Sequence, residues 1–366
     1  MEQNSNFNET IIQNDEKIIS PTSEKKKDFF DVLKMFSPGT SIRSALDDIL
    51  RARMGALIVI DNDRVFDIAD GGFKVNSKFS SQKLVELAKM DGAIILSKDM
   101  KKILYANTLL TPDVNLTTKE TGTRHKAAER TAKHADTIVI AVSERKNKIT
   151  LYYGETRYEI ERSSEVLRRT AETLQILEKQ KEIYNDLMKN LNILEINNLV
   201  TMSDVCEVLQ RIEIIRRISD VVKKSLIELG KEGIIVSMRL KELIKNLSKE
   251  REMILRDYFK SKYSKIDAAL NSMNFDFLLE TSNLSRILFE ELHDKSISPR
   301  GIRILNKTNL LEKEIRALIF GLKTLNKILD AEKESLARIL KSEPVAEALI
   351  RDLNDLREKI LVGKRI

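Results

Sequence analysis

At Ser163-Ser164-Glu165 the apolar pattern of the chain changes period, and that change limits the fold more than any single motif does. Upstream of it, short runs rich in branched residues at 56–60, 93–96, 103–106, 137–142 and 149–153 read as strands. Leu57-Ile58-Val59-Ile60 and Ile138-Val139-Ile140 are apolar on both faces, which is the pattern of strands covered by helices on either side. Helical spacing at 41–54, 81–90 and 124–134 supplies the covering layers. Residues 27–162 therefore read as an α/β domain, a mixed central sheet flanked by helices.

Downstream, strand signals vanish. Ser163-Ser164-Glu165 is a helix start with an acidic first turn. After it, Leu167, Leu174, Leu177, Tyr184, Leu187, Leu191 and Leu194 recur at threes, fours and sevens, which lays an apolar stripe along one long helix. Further helices are predicted at 205–229, 238–259 and 267–293. Residues 163–295 thus read as an all-α middle domain, a linker and oligomerisation scaffold without chemistry of its own. Turn formers at Ser296-Ile297-Ser298-Pro299 mark a boundary. Short helices at 301–306, 312–320, 324–330, 335–340 and 345–361 make residues 296–366 a second all-α domain. The polar stretch 1–26 reads as a flexible tail without the apolar core of a secretory signal.

Charge points to partners. The net charge is +7, and residues 298–366 hold 15 Lys and Arg against 10 Asp and Glu, so most of the excess sits at the C-terminal end. That is where an anionic polymer such as DNA would be met. No run approaches the roughly 20 apolar residues that a membrane span needs, so no membrane partner is expected. The single cysteine, Cys206, excludes an internal disulfide and a cysteine-based zinc site. Cys206 falls on an apolar helical face and reads as a small core residue. The expected compartment is the cytoplasm.

Two short segments carry the chemistry. Asp91-Gly92-Ala93 offers a carboxylate for a metal or a hydroxyl proton, next to a glycine that lets backbone approach a ligand. Alone, Asp-Gly is a turn signal. Gly122-Thr123-Arg124-His125-Lys126 opens a helix, where free amides, a hydroxyl and a forked cation suit phosphate. Alone, it is an exposed basic helix start. His134 and His293 have no such neighbours and read as ordinary packing or surface residues.

Their flanks join the two segments into one pattern. Leu87-Ala88-Lys89-Met90 precedes the first, Ala128-Glu129-Arg130-Thr131-Ala132 follows the second, and Ala141-Val142-Ser143-Glu144-Arg145 and Ile149-Thr150-Leu151-Tyr152 come after. Together they resemble the diadenylate cyclase domain of the DNA-integrity-scanning family, which joins two ATP molecules into cyclic di-AMP. The resemblance continues through Gln210-Arg211-Ile212-Glu213, Arg216-Arg217-Ile218 and Arg256-Asp257-Tyr258.

The resemblance implies roles. Asp91 falls on the family's metal-binding and hydroxyl-activating acid, with Mg²⁺ or Mn²⁺ as cofactor. Gly92 and Leu110 fall on its adenine and ribose contacts, Thr123, Arg124, His125, Lys126 and Ala127 on its phosphate-binding stretch, and Ser143 on a further phosphate contact. Asp91, Arg124 and His125 are thereby the catalytic candidates. It also implies a homo-octamer that brings two ATP-loaded protomers face to face, and a C-terminal helix-hairpin-helix module that binds branched or duplex DNA. Two departures stand out. Lys126-Ala127 replaces the family's Arg-Thr, exchanging a planar fork for a point charge and a hydroxyl for a methyl. Lys341-Ser342-Glu343-Pro344 stands where the last hairpin would carry Gly-hydrophobic-Gly. These departures define the alternative, a DNA-associated scaffold of weakened catalysis that only binds nucleotide.

Overall fold

The computed structural model describes residues 28–290 and 294–364. The polar tail at 1–26 and His293 lie outside the described residues. The first part of the chain runs α1 (Phe29–Met35), α2 (Ser41–Arg51), β1 (Ala56–Ile60), β2 (Ala69–Asp70), β3 (Phe73–Lys78), α3 (Ser81–Leu87), β4 (Ala93–Leu96), β5 (Lys102–Leu110), α4 (Thr123–Ala135), β6 (Ile138–Ser143), β7 (Lys148–Tyr153) and β8 (Thr156–Ile160). Among the described residues the strand order is β2-β5-β4-β1-β6-β7-β8, with β3 also paired to β5. The β1–β4 pair is parallel and its neighbours are antiparallel, so the sheet is mixed.

The central strands are apolar throughout because both faces are covered, and their period of two decides what lies on each side. Ala56, Ile58 and Ile60 join Ile94, Ile140 and Val142 in the core beneath α1, α2 and α3. Leu57 and Val59 join Ile95, Val139 and Ala141 beneath α4. That helix presents Ala128, Ala132 and Ala135, all fully buried, so small side chains let it lie close on the sheet.

Beyond the sheet everything is helical. α5 (Ser163–Ile196) and α6 (Met202–Leu229) form the principal pair, and Leu174, Leu177, Tyr184 and Leu191 of the predicted stripe are buried against it. The start of α6 is fixed by a reciprocal cap between Thr201 and Asp204. Then follow α7 (Ile234–Leu243), α8 (Leu247–Phe259), α9 (Tyr263–Ser272), α10 (Phe275–Leu278) and α11 (Thr281–Phe289). Cys206 is fully buried as expected, and burial pushes its thiol up to about 11.

Two predicted helices are broken. The expected helix at 238–259 is split at Asn246, which takes a left-handed conformation (φ 62°) that asparagine tolerates better than most residues. The expected helix at 267–293 is cut at Met273-Asn274 and again at Glu280, where the backbone turns extended. The second cut is stabilised from α6. Buried Gln210 donates to the carbonyls of Leu278 and Leu279 at 2.8 and 2.9 Å, satisfying a helix end that would otherwise be orphaned.

The chain closes with α12 (Ile302–Leu305), α13 (Glu312–Leu322), α14 (Leu325–Leu329), α15 (Lys333–Leu340) and α16 (Glu343–Leu361), which share an apolar core with Ile196 of α5. A buried polar knot fastens them to the preceding helices. Arg303, 1% exposed, gives its guanidinium to Glu195, itself 1% exposed, and Tyr258 donates to the same carboxylate at 2.7 Å. Asp257 accepts from the first two amides of α12, Ile302 N at 2.6 Å and Arg303 N at 2.9 Å. Burial, with the Glu195 charge adding to it, pushes the Asp257 carboxyl up to about 7. No helix among the described residues is long and apolar enough to cross a membrane.

Candidate functional site

One end of the sheet collects the residues singled out from the sequence. Leu57 of β1 pairs with Ala93 of β4, so one step earlier Ala56 is level with Gly92 and Gly55 with Asp91. On its other side β1 pairs Ala56 with Val142, which sets Gly55 level with Ser143 at the end of β6. Ala93 also pairs with Thr108 of β5, two residues before Leu110. Strand register thus brings Asp91, Gly92, Leu110 and Ser143 to one edge although 52 positions separate the first from the last.

Helix α4 starts at the same edge. The guanidinium of Arg124 lies over Gly55, so close that a Cβ there would come within 1.9 Å of Nη1. Glycine is required at 55 for this contact. At Gly92 it is required for another reason: φ is +88°, and a Cβ would come within 2.8 Å of the Asn107 carbonyl carbon.

The first turn of α4 holds Thr123, Arg124 and His125, and neither Gly122 nor an acidic side chain caps it. Its amides and the positive end of the helix dipole therefore face outward. Asp91, Thr123, Arg124 and Lys126 are exposed, and the Asp91 carboxylate and Arg124 guanidinium make no hydrogen bond or ion pair among the described residues. Charged groups left unpartnered at one edge are what an ionic ligand would complete. Burial lowers the His125 pKa against the pull of Glu120, with Lys146, Arg124 and Arg157 adding to the depression. Its ring stands at 76° to that of Tyr152, with the ring centres 6.4 Å apart. Leu110 is only 8% exposed, so a ligand here would meet its main chain; Leu109, at 61%, presents a side chain. Ala127 is half-buried behind the helix tip.

What the sequence did not reveal is the scaffold that aims α4. The connection before it is tied to the helix and sheet at several points: Arg130 Nε donates to Leu116 O at 3.0 Å, Lys133 Nζ to Thr117 O at 3.0 Å, and Thr118 Oγ1 to Glu129 Oε2 at 2.6 Å. Glu120 accepts from Tyr152 OH at 2.8 Å and Arg157 Nε at 2.5 Å. Burial would raise the Glu120 carboxyl, but those two donors outweigh it and hold the group below the ordinary carboxylate range. His134 plays a structural part, its Nδ1 accepting from Asp113 N at 3.0 Å. Thr108 Oγ1, buried against Gly72, has no hydrogen-bond partner among the described residues.

A divalent cation fits this edge in one way. No group of three or more His, Cys, Asp or Glu side chains gathers among the described residues, so a closed protein cage is absent from them. A single free carboxylate, Asp91, beside a cationic helix tip suits a divalent cation held jointly by protein and ligand oxygens.

Known proteins match this chain along most of its length. The family described as DisA bacterial checkpoint controller nucleotide-binding matches residues 43–157, and the DisA bacterial checkpoint controller linker region matches residues 160–293. The DNA integrity scanning protein DisA of Clostridium kluyveri is 41% identical over 350 residues, covering 93% of this chain and 99% of that protein. Its namesake from Clostridium acetobutylicum is 39% identical, covering 94% and 98%. That from Clostridium botulinum strain Loch Maree is 40% identical, covering 93% and 99%.

Proposed function

The chain belongs to the DisA family of DNA-integrity-scanning diadenylate cyclases and is a nucleotidyltransferase that makes cyclic di-AMP; from that premise we propose how its residues divide the work. Each protomer holds one ATP at the sheet edge, and two protomers meet face to face so that each nucleotide's 3′-hydroxyl attacks the α-phosphate of the other. Pyrophosphate leaves from each. The convergence of Asp91, Gly92, Ser143 and the tip of α4 on one edge is the observation that carries this reading.

Phosphate oxygens are held by the free amides of Thr123 and Arg124, the forked guanidinium of Arg124, the Lys126 ammonium and the Ser143 hydroxyl. Gly92 and the main chain around Leu110 admit the nucleoside. His125 hydrogen-bonds the triphosphate. Asp91 takes the proton of the attacking hydroxyl and would hold Mg²⁺ or Mn²⁺. When bound, the cation neutralises triphosphate charge. Holding both reactants in line replaces an encounter between two dilute molecules by one within a shared cleft.

In this reading the chain divides at 27–162, 163–295 and 296–366, works in the cytoplasm, and assembles as an octamer through its helical middle. The last section is a helix-hairpin-helix module that meets branched or duplex DNA, its amides holding phosphate without reading bases. Lys126, Ala127 and the glycine-free turn at Lys341 support a second reading, a scaffold that binds nucleotide with little turnover. Purified protein incubated with ATP and either metal separates the two by chromatography of the products. Cyclic di-AMP is expected, and its absence with both metals from a protein shown to be assembled would leave the scaffold.

A further inference from the structure

A cleft of about 650 Å³ separates α8 from α12 and α13, where the helical middle meets the C-terminal helices. Its floor is apolar, formed by Met253, Ile315 and Ile319, which are 7%, 4% and 5% exposed. Its rim is cationic. Lys249, Lys260 and Arg300 make no ion pair among the described residues. Arg256 and Arg316 engage Glu252 and Glu312, the only carboxylates among the described residues that line the cleft.

Aromatic rings stand among these charges. Phe320 is 88% exposed, more than any other large apolar side chain among the described residues. Tyr263 lines the same cleft, with the Arg256 guanidinium 5.6 Å from its ring centre. An apolar ring held in water gains by being covered, and what covers it here must also bring negative charge. A second copy of the chain fits poorly, since a two-fold contact through this face would set the unpaired cations against each other. A nucleic-acid strand supplies both needs, a flat apolar base for the ring and a phosphate for each cation. Bases inside a duplex are already stacked and cannot reach a side chain on the rim of a cleft. Unpaired ones can.

We propose that this cleft captures the unpaired nucleotides of branched or flapped DNA, with Phe320 stacking on a base and Lys249, Lys260 and Arg300 on the backbone phosphates. The inference rests on the reading that the C-terminal end meets DNA and adds the feature that tells a branch from intact duplex. The test is fluorescence anisotropy with the assembled full-length protein and two labelled DNAs, a blunt duplex and the same duplex carrying a single-stranded flap. Phe320→Ala should weaken flap binding roughly 5- to 100-fold and leave blunt-duplex binding unchanged. Lys260→Glu should lower flap affinity and reduce its salt slope by about one. Equal flap affinity in Phe320→Ala and the unsubstituted protein overturns the cleft while leaving DNA binding intact; no binding of either DNA by the unsubstituted protein overturns both. A smaller particle mass for Phe320→Ala in light scattering overturns it in favour of a subunit contact.

Discussion

Arg124 and Arg303 sit at opposite extremes of the same chemistry. Arg124 lies exposed over a glycine with no carboxylate partner, beside an equally unpartnered Asp91. Arg303 is buried to 1% exposure against Glu195, with Tyr258 and Asp257 completing the knot. A buried charge that loses its counter-charge costs the fold several kcal/mol. An exposed charge that finds none is free to be completed from outside. In the proposed function the edge of the sheet awaits a ligand, whereas the knot is completed within the fold.

Substitutions can break that contrast from either side. Asp91→Asn should give the largest effect, a loss of cyclisation of about 100-fold or more, with the thermal midpoint unchanged. Retained turnover, measured as cyclic di-AMP formed per minute, would remove Asp91 from the mechanism. Arg303→Met acts on the other region: it strands Glu195 in the interior and should cost about 3–5 kcal/mol in urea unfolding. The double change Glu195→Leu with Arg303→Leu should recover most of that loss, and a single variant as stable as the parent would show the pair to be idle. Gly55→Ala sharpens the comparison with the smallest effect. The added methyl displaces the guanidinium seated at 1.9 Å from its position and should weaken ATP binding about tenfold, the worth of one charge-assisted hydrogen bond, as should Arg124→Ala. Unaltered ATP affinity in Gly55→Ala would show that the seat has no influence on binding.

The sequence revealed the layers better than the joints. Fully apolar runs such as Leu57-Ile58-Val59-Ile60 mark covered strands, and the leucine stripe from Leu167 marks α5, because both signals come from local periodicity. The peripheral strands at Phe73–Lys78 and Thr156–Ile160 escaped, since strands at the margin of a sheet, only partly covered, keep few apolar residues. Asn246 was invisible as a break because asparagine is tolerated inside helices as well as in the left-handed region. Asp91 and Thr123–Lys126 could be read as motifs, each being a contiguous run. The seat at Gly55 and the tie from Tyr152 to Glu120 could not, because they join residues brought together only by the packed sheet.

α5 runs without interruption for 34 residues, about 50 Å of rod, from just after β8 to the carboxylate that grips Arg303. One uninterrupted rod thus leaves the sheet and ends in the apolar core of the last five helices, where Ile196 is buried, so no loop intervenes along that span.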